Sequence, residues 1–275
     1  MKYCDQITFV IFTYNEEARI ERAVRNFATA GRVLVVDNHS TDRTEEIAVG
    51  TGATILKHKN PGWVEDASTV AVVKAAVTTP WIYWGFADEL VDKPTLEAVL
   101  AAVNSGTCEI VRMTRKNYYY GVFCHGAYAS ELNRVFRKEA IDFRGNEIHH
   151  FGKLTVTESS IKHLDSHYHF VHHFISNNAK SYLRTIDAYT DIESKRPGPK
   201  SAVRMVLQMT KTFVANYFIR KGYKAGLPGL FLSFQMIYYE ALLNMKSYEA
   251  HEGLVARKIE DLNDSTRDGL LSSFR

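Results

Sequence analysis

Four short apolar runs, each followed by a stretch of different texture, fill the first hundred residues and restrict the fold more than any other feature of the chain. Residues 7–12 (ITFVIF) are apolar and β-branched and read as a buried strand, after which residues 15–30 space Ile20, Val24 and Phe27 along one helix face behind Glu16 and Glu17. Residues 33–36 (VLVV) give a second strand, and Ser40, Thr41 and Asp42 open a helix that runs to residue 49. A third strand at 53–56, a third helix at 66–77 and a fourth strand at 81–86 (WIYWGF) complete the series. Strand and helix alternating at so short a period build parallel βαβ units, so the expected class is α/β with a mainly parallel, doubly wound, Rossmann-like sheet. In such sheets ligands bind outside the carboxyl ends of the strands. The loops there read Thr13-Tyr14-Asn15-Glu16, Asp37-Asn38-His39-Ser40-Thr41-Asp42 and Ala87-Asp88-Glu89.

The rest of the chain changes character. Residues 108–137 are aromatic and strand-like, with Tyr118, Tyr119, Tyr120, Phe123 and Tyr128 around Gly121 and Gly126. Beyond residue 177 the spacing turns helical, at 179–194, 201–220 and 230–245, and the basic, helix-breaking stretch 195–200 (KRPGPK) reads as a linker. The expected division is an α/β part over 1–176 and a helical part over 177–275. With 275 residues the chain has room for one large domain or two small ones, at roughly 100 to 200 residues each. Its 34 basic and 31 acidic side chains leave +3, too small an excess for a nucleic-acid partner. Three scattered cysteines without a Cys-x-x-Cys pair argue against structural zinc and for a reducing cytosol. The first residues lack the basic and apolar regions of a signal peptide, which supports the same location.

No G-x-G-x-x-G follows the first strand and no G-x-x-x-x-G-K-[ST] occurs, so phosphates, if any, need another counter-charge. At the loops, FTYNEEARIERAV (12–24) together with VLVVDNHSTDRT (33–44) resembles family 2 glycosyltransferases of GT-A fold, in the branch of lipopolysaccharide-core sugar transferases. The resemblance runs from residue 7 to about residue 248. It implies an inverting transfer of sugar from a nucleotide-diphosphate donor, a UDP-sugar being favoured, to a hydroxyl of a glycan or lipid-linked acceptor in the cell envelope.

By that resemblance the first two loops hold the nucleotide. Asp37 would accept a hydrogen bond from the base ring N–H, a role that suits an acceptor-only carboxylate at the end of a buried strand. Tyr14 would lie beside the base and Glu16 near the ribose, with Phe12, Thr13 and Asn38 lining the same site. Lys57 or Lys59 would add positive charge, and Trp63, Asp66 and Arg112 would shape the sugar pocket. Asp42 reads instead as a cap of the following helix.

The third loop should hold Mg²⁺ or Mn²⁺. The family pattern is Asp-x-Asp followed by Glu, whereas this chain has Phe86-Ala87-Asp88-Glu89, so Asp88 matches the later aspartate and Phe86 replaces the earlier one. A cation of this type needs only one or two protein carboxylates beside phosphate and water. The competing reading makes Asp88 and Glu89 a solvated helix entry before Pro94. Seven of the eleven histidines lie between His149 and His173, and His172, in HHFIS, best matches the family's metal-completing histidine. In FRGNEIHHF (143–151) the family's Val-His-Glu-like motif puts His150 where a glutamate would stand, with Glu147 close by. His150 and Glu147 are therefore rival general bases, and a degraded, non-catalytic sugar-nucleotide binder is the alternative. A sugar-phosphate nucleotidyltransferase is the other rival, but it would want a Gly-rich, basic first loop.

The apolar run 226–239 (GLPGLFLSFQMIYY) is too short for the roughly 20 residues that span a bilayer. Arg204, Lys211, Arg220, Lys221 and Lys224 precede it, so this region would rest on the inner face of the cytoplasmic membrane, pack on the catalytic part, or join a homodimer.

Overall fold

Strand β1 (Ile7–Thr13) is buried on both faces, as a central parallel strand must be, and the sheet grows outward from it. The computed structural model describes residues 2–60, 65–146, 151–176, 178–195, 201–272 and 274. β2 (Arg32–Asp37) lies parallel to β1 on one side, followed outward by β3 (Thr54–Lys57), and β4 (Trp81–Phe86) lies parallel on the other. Helices α1 (Ile20–Ala28), α2 (Thr44–Gly50) and α3 (Ala67–Ala76) make the crossovers. Then follow β5 (Glu89–Val91), α4 (Lys93–Ser105), β6 (Ile110–Tyr119), β7 (Val122–Phe123), β8 (Ser130–Arg137), and the small pair β9 (Ile141–Asp142) and β10 (Lys153–Leu154). β11 (Ile161–His163) and β12 (Phe170–Ile175) come next. The large sheet runs β3-β2-β1-β4-β8-β6-β12-β5, with β7 and β11 also paired to β6.

Its first half is wholly parallel, whereas β8 enters antiparallel to both β4 and β6, so the sheet is mixed. One layer of core packs α1 and α4 on Phe9, Ile11, Trp81 and Tyr83, and the opposite layer packs α3 on Val10, Val36 and Trp84. The three cysteines are buried and unpaired.

The expected helix at 15–30 begins only at Ile20, because residues 15–19 form a turn in which the Glu16 carbonyl accepts from the Arg19 and Ile20 amides. A helix near Pro94 entered the sequence reading only as the competing account of Asp88 and Glu89, and α4 begins after them, at Lys93. Asp92 caps it by accepting from the Thr95 amide at 2.9 Å, Pro94 stands in its first turn, and Gly106 ends it at φ 67°. After residue 177 come α5 (Ala179–Glu193), α6 (Ala202–Val214), α7 (Leu227–Glu252) and the exposed α8 (Ala256–Ser272). The helix expected at 201–220 changes to a π-turn at Ala215–Ile219, where buried Asn216 accepts from the Tyr128 amide at 2.8 Å and so ties the helix to the sheet. A third small core, Tyr119, Cys124, Ala127, Ala225 and Leu232, fastens the start of α7 to β6. Among the described residues no helix is long and apolar enough to cross a membrane.

Candidate active site

Register lines up the carboxyl ends of the parallel strands, with Lys57 opposite Asp37, Asp37 opposite Thr13 and Phe12 opposite Phe86. The first two loops are laced together above this row. Asn15, in the left-handed region at φ 54°, accepts from the Thr41 amide at 2.8 Å and donates its own amide to Ser40 Oγ at 2.9 Å. The Glu16 amide donates to Thr44 Oγ1 at 2.7 Å, and Asp42 accepts from the Thr44 amide at 3.0 Å, so Asp42 acts on the entry to α2 as its residue type suggested. Asp37 is fully buried and takes the Ser40 amide at 2.9 Å and the Ser40 hydroxyl at 2.5 Å. Each carboxylate oxygen keeps a second lone pair for another donor. Thr13 Oγ1 is buried and finds no hydrogen-bond partner among the described residues, while Tyr14 is exposed. Asn38 closes the row by accepting from the Asn60 amide at 2.9 Å.

Three residues expected in the donor pocket are engaged elsewhere. Lys57 pairs with Glu45 at 2.6 Å on the exposed sheet edge. Asp66 caps α3, where burial raises its pKa but the bonds from Ser68 and Thr69 outweigh this and bring it down to about 2. Arg112 pairs with Glu158 at 2.9 Å and donates to Asn133 at 2.8 Å. Trp63, Glu147, His149 and His150 lie outside the described residues. Asn146, just before them, donates to the Glu65 carbonyl at 3.0 Å and accepts from the Gly152 amide at 2.8 Å.

Asp88 stands just past the end of β4, its side chain 29% exposed. The histidine that meets it is His173, with Nε2 at 3.2 Å from Asp88 Oδ2. His172, the one the resemblance pointed to, turns to the opposite face of β12 and places Nδ1 3.0 Å from the Tyr118 hydroxyl. Successive strand side chains point to opposite faces, so only one of the pair can face Asp88. His173 is held by Asn117, whose amide nitrogen donates to the Tyr128 carbonyl at 2.7 Å and whose oxygen therefore faces His173 Nδ1 at 2.7 Å. That arrangement puts the proton on Nδ1 and leaves Nε2 toward Asp88, either as a second N–H or as a lone pair for a cation shared with the carboxylate.

The donor set fits a divalent cation. Two neighbouring ligands of an octahedral ion at about 2.1 Å lie roughly 3 Å apart, close to the observed Nε2–Oδ2 separation. Among the described residues no three His, Cys, Asp or Glu side chains are arranged to hold a metal, so phosphate and water would supply the remaining positions. Burial raises the Asp88 pKa, but the bond from His173 and the charges of His173, Arg19 and Arg115 outweigh it and hold the carboxyl below its ordinary range. Arg19 clasps Glu16 at 2.5 and 2.6 Å and reaches Ser176 Oγ at 2.7 Å, joining the first loop to the end of β12. Glu16 is shifted upward, by burial first and then by the charges of Asp88 and Asp42, against the pull of Arg19.

The profile of the glycosyl transferase family 2 matches residues 8–153, more than half of the chain and the part that carries these loops. The chain belongs to glycosyl transferase family 2. An uncharacterized glycosyltransferase of Rickettsia bellii is 26% identical over 243 residues, covering 82% of this chain and 80% of that protein. An uncharacterized glycosyltransferase of Mycobacterium tuberculosis is 32% identical over 102 residues, 37% of this chain and 45% of the relative. Among solved structures, S. aureus TarS 1–349 in complex with UDP-GlcNAc is 12% identical, covers 93% of both chains and has a TM-score of 0.47. Glucosyl-3-phosphoglycerate synthase from Mycobacterium tuberculosis, in complex with Mn²⁺, UDP and phosphoglyceric acid, is 22% identical over 42% of this chain and 44% of that one, with a TM-score of 0.32.

In this family 2 glycosyltransferase of GT-A fold, Phe86 has a packing role where the family pattern has its first aspartate. Its ring lies 5.9 Å from that of Phe12 and under the Arg134 guanidinium at 5.2 Å. Arg134 also donates to the Trp84 carbonyl at 2.9 Å and pairs with Glu89, so Glu89 is a buried ion-pair partner and not a solvated helix entry. Arg115 stands 3.6 Å from the same Glu89 oxygen. Glu65 is pushed up by burial, against the charges of Arg134 and Arg115. From the helical region Tyr189 of α5 feels the charges of Glu65, Arg115 and Asp88, and burial lifts its hydroxyl to about 12. Sequence reasoning passed over Asn117, Arg115, Arg134 and Tyr189. Only the polar residues at inward positions of β6 and β8 could have marked the first three.

Proposed function

We propose that this family 2 glycosyltransferase moves a sugar from a nucleotide-diphosphate donor to an acceptor hydroxyl by a single inverting displacement, with the acceptor on a cell-envelope glycan, free or lipid-linked. The reading rests above all on the Asp88–His173 pair set beside the two nucleotide-facing loops. A UDP-sugar is favoured because the buried Asp37 acceptor suits an imide N–H such as that of uracil, and it would repel the unprotonated ring nitrogen of cytosine. Phe12, Thr13, Tyr14, Glu16 and Asn38 line the nucleotide around it, residues 1–176 carry the donor site, and residues 177–275 bring Tyr189 toward the acceptor side.

Asp88 and His173 would hold Mg²⁺ or Mn²⁺, the imidazole favouring the latter. The cation would supply Lewis-acid stabilisation of charge developing on the diphosphate. Asn117 keeps the proton of His173 on Nδ1, and His173, then Arg19 and Arg115, hold the Asp88 carboxyl below its ordinary range. As the acceptor oxygen bonds to the anomeric carbon and the bond to the diphosphate breaks, the acceptor proton passes to a base, for which His150 and Glu147 are the candidates.

Calorimetric titration with UDP, GDP and ADP, with and without Mn²⁺, tests the reading. Binding of UDP that tightens with Mn²⁺ in the native chain and far less readily in His173→Ala supports it, and UDP binding indifferent to both metal and substitution removes it. The packing of Phe86 at the expected ligand position favours a second reading, a sugar-nucleotide binder without turnover. Metal-dependent binding with no donor consumption across envelope-type acceptors would select that one.

A further inference from the structure

Helix α6 contains no buried residue, although eight of its 13 residues are apolar. At 100° per residue Val203, Val206, Leu207 and Val214 share one stripe, with Val203 and Leu207 68% and 62% exposed, and exposed Phe218 follows within the π-turn. Ile219, 72% exposed, ends the stripe at the tip of the α6–α7 hairpin. Phe213 stacks on Phe234 of α7 at 5.4 Å and meets Phe218 edge-on at 6.2 Å, so the apolar surface continues onto α7 through exposed Leu227 and Phe231. An apolar face of this extent calls for an occupant.

Charge says which. Residues 194–239 hold eight Lys or Arg and no Asp or Glu, while the rest of the chain holds 26 basic against 31 acidic side chains, a net −5. Arg204 and Lys211, one heptad apart, flank the stripe on one side, and Arg220, Lys221 and Lys224 crowd the tip. The charges of Lys221 and Lys224, together with Lys116, reach across to His125 and, after burial, help to push its pKa down. A twofold contact between copies through this face would set these cations against themselves. An anionic bilayer surface satisfies both the apolar stripe and the cations, and no described helix is suited to crossing it.

The tip is also rigidly aimed. The Gly126 amide donates to the Arg220 carbonyl at 2.9 Å, the Tyr128 amide to Asn216 Oδ1 at 2.8 Å, and a Cβ on Gly126 would sit 3.0 Å from the Arg220 oxygen. A membrane gripped by Phe218 and Ile219 would therefore hold β6 and the site beside it at a set orientation.

We propose that the α6–α7 hairpin is a monotopic docking surface for an anionic lipid bilayer, with the apolar stripe in the interface and Arg204, Lys211, Arg220, Lys221 and Lys224 on the headgroups. The assignment does not depend on the donor or on turnover, so the transferase reading can fail without it, and the reverse.

Co-sedimentation of the full chain with vesicles of phosphatidylcholine, alone or mixed with phosphatidylglycerol, tests it. The mixed vesicles should bind at least about tenfold more tightly, since each basic side chain near such a surface contributes roughly fivefold, and molar salt should release most of the protein. Phe218→Ser with Ile219→Ser, and separately Lys221→Glu with Lys224→Glu, should each lower binding about tenfold or more while UDP affinity stays unchanged. Equal binding to both vesicles, binding indifferent to salt, or variants that bind like the native chain overturn the proposal. So does a dimer in sedimentation velocity that both variants dissolve while vesicles go unbound, which would give the face to a second copy.

Discussion

Replacing His173 by Ala, with His172→Ala and Asn117→Ala as companions, separates the two histidines at the site. His173 is the imidazole within 3.2 Å of Asp88, and Asn117 holds its Nδ1–H at 2.7 Å. Loss of such an outer hydrogen bond weakens metal binding by about 10–100-fold, or roughly 1.4–2.7 kcal/mol, which sets the expectation for Asn117→Ala. His173→Ala removes one of the two proposed protein donors and should cost at least about 100-fold. His172→Ala alters the contacts with Tyr118, Phe170 and Phe174 on the far face and should leave the Mn²⁺ response within about twofold. The pH dependence carries a sign. In the native chain the Asp88 carboxyl lies below its ordinary value of 3.8, so its contribution to stability is present above that value and is lost as pH falls through the lower folded value. His173→Ala removes the bond and charge that oppose burial most, so the carboxyl moves up and the Mn²⁺ response of UDP binding shifts to higher pH. The assay is Mn²⁺ titration of UDP binding at several pH values. A full response in His173→Ala together with a lost response in His172→Ala would refute the assignment.

Arg134→Met should lower stability by about 3 kcal/mol in urea unfolding, because it leaves the buried Glu89 carboxylate with only the longer Arg115 contact at 3.6 Å, while adding Glu89→Gln should recover a clear part of that loss; additive effects would show that the pair is not coupled. Asp66→Ala should cost about 1 kcal/mol through the lost α3 cap and leave UDP affinity within about twofold. The contribution of Asp66, whose folded pKa of about 2 lies below the unfolded one, is present above the ordinary aspartate value and disappears as pH falls through about 2, so the difference between variant and native chain should vanish there. Gly126→Ala should lower the unfolding midpoint by the equivalent of about 1–3 kcal/mol, since the added Cβ meets the Arg220 backbone oxygen at 3.0 Å, and should leave the Mn²⁺ response intact.

Much of the first half of the chain was legible because its signals are local. The buried strands at 7–12, 33–36 and 81–86 appear as apolar runs whatever they pair with, and the polar residues that follow them must fall at the carboxyl edge once the strands are parallel. Asp88 was placed at that edge in this way, and Asp42 was placed at the entry to α2 by its residue type. Asp66 is a different case. Its cap is a local pattern too, but the family resemblance drew attention to the sugar pocket instead.

The amino-acid sequence by itself determined the α/β class, the loops that meet at the strand ends and the excess of cations near the α6–α7 turn. Only the tertiary structure decided which of two adjacent histidines faces Asp88, because that depends on β12 pairing His173 with Asn117 on β6 and with Glu89 on β5. The same holds for the union of Glu89 with Arg134, 45 residues apart, and for the exposure of α6, whose apolar stripe is the kind that elsewhere packs into a core. Periodicity reports which side of an element is apolar or polar, whereas the partner that meets that side is chosen by strand register and long-range packing, which no local pattern encodes.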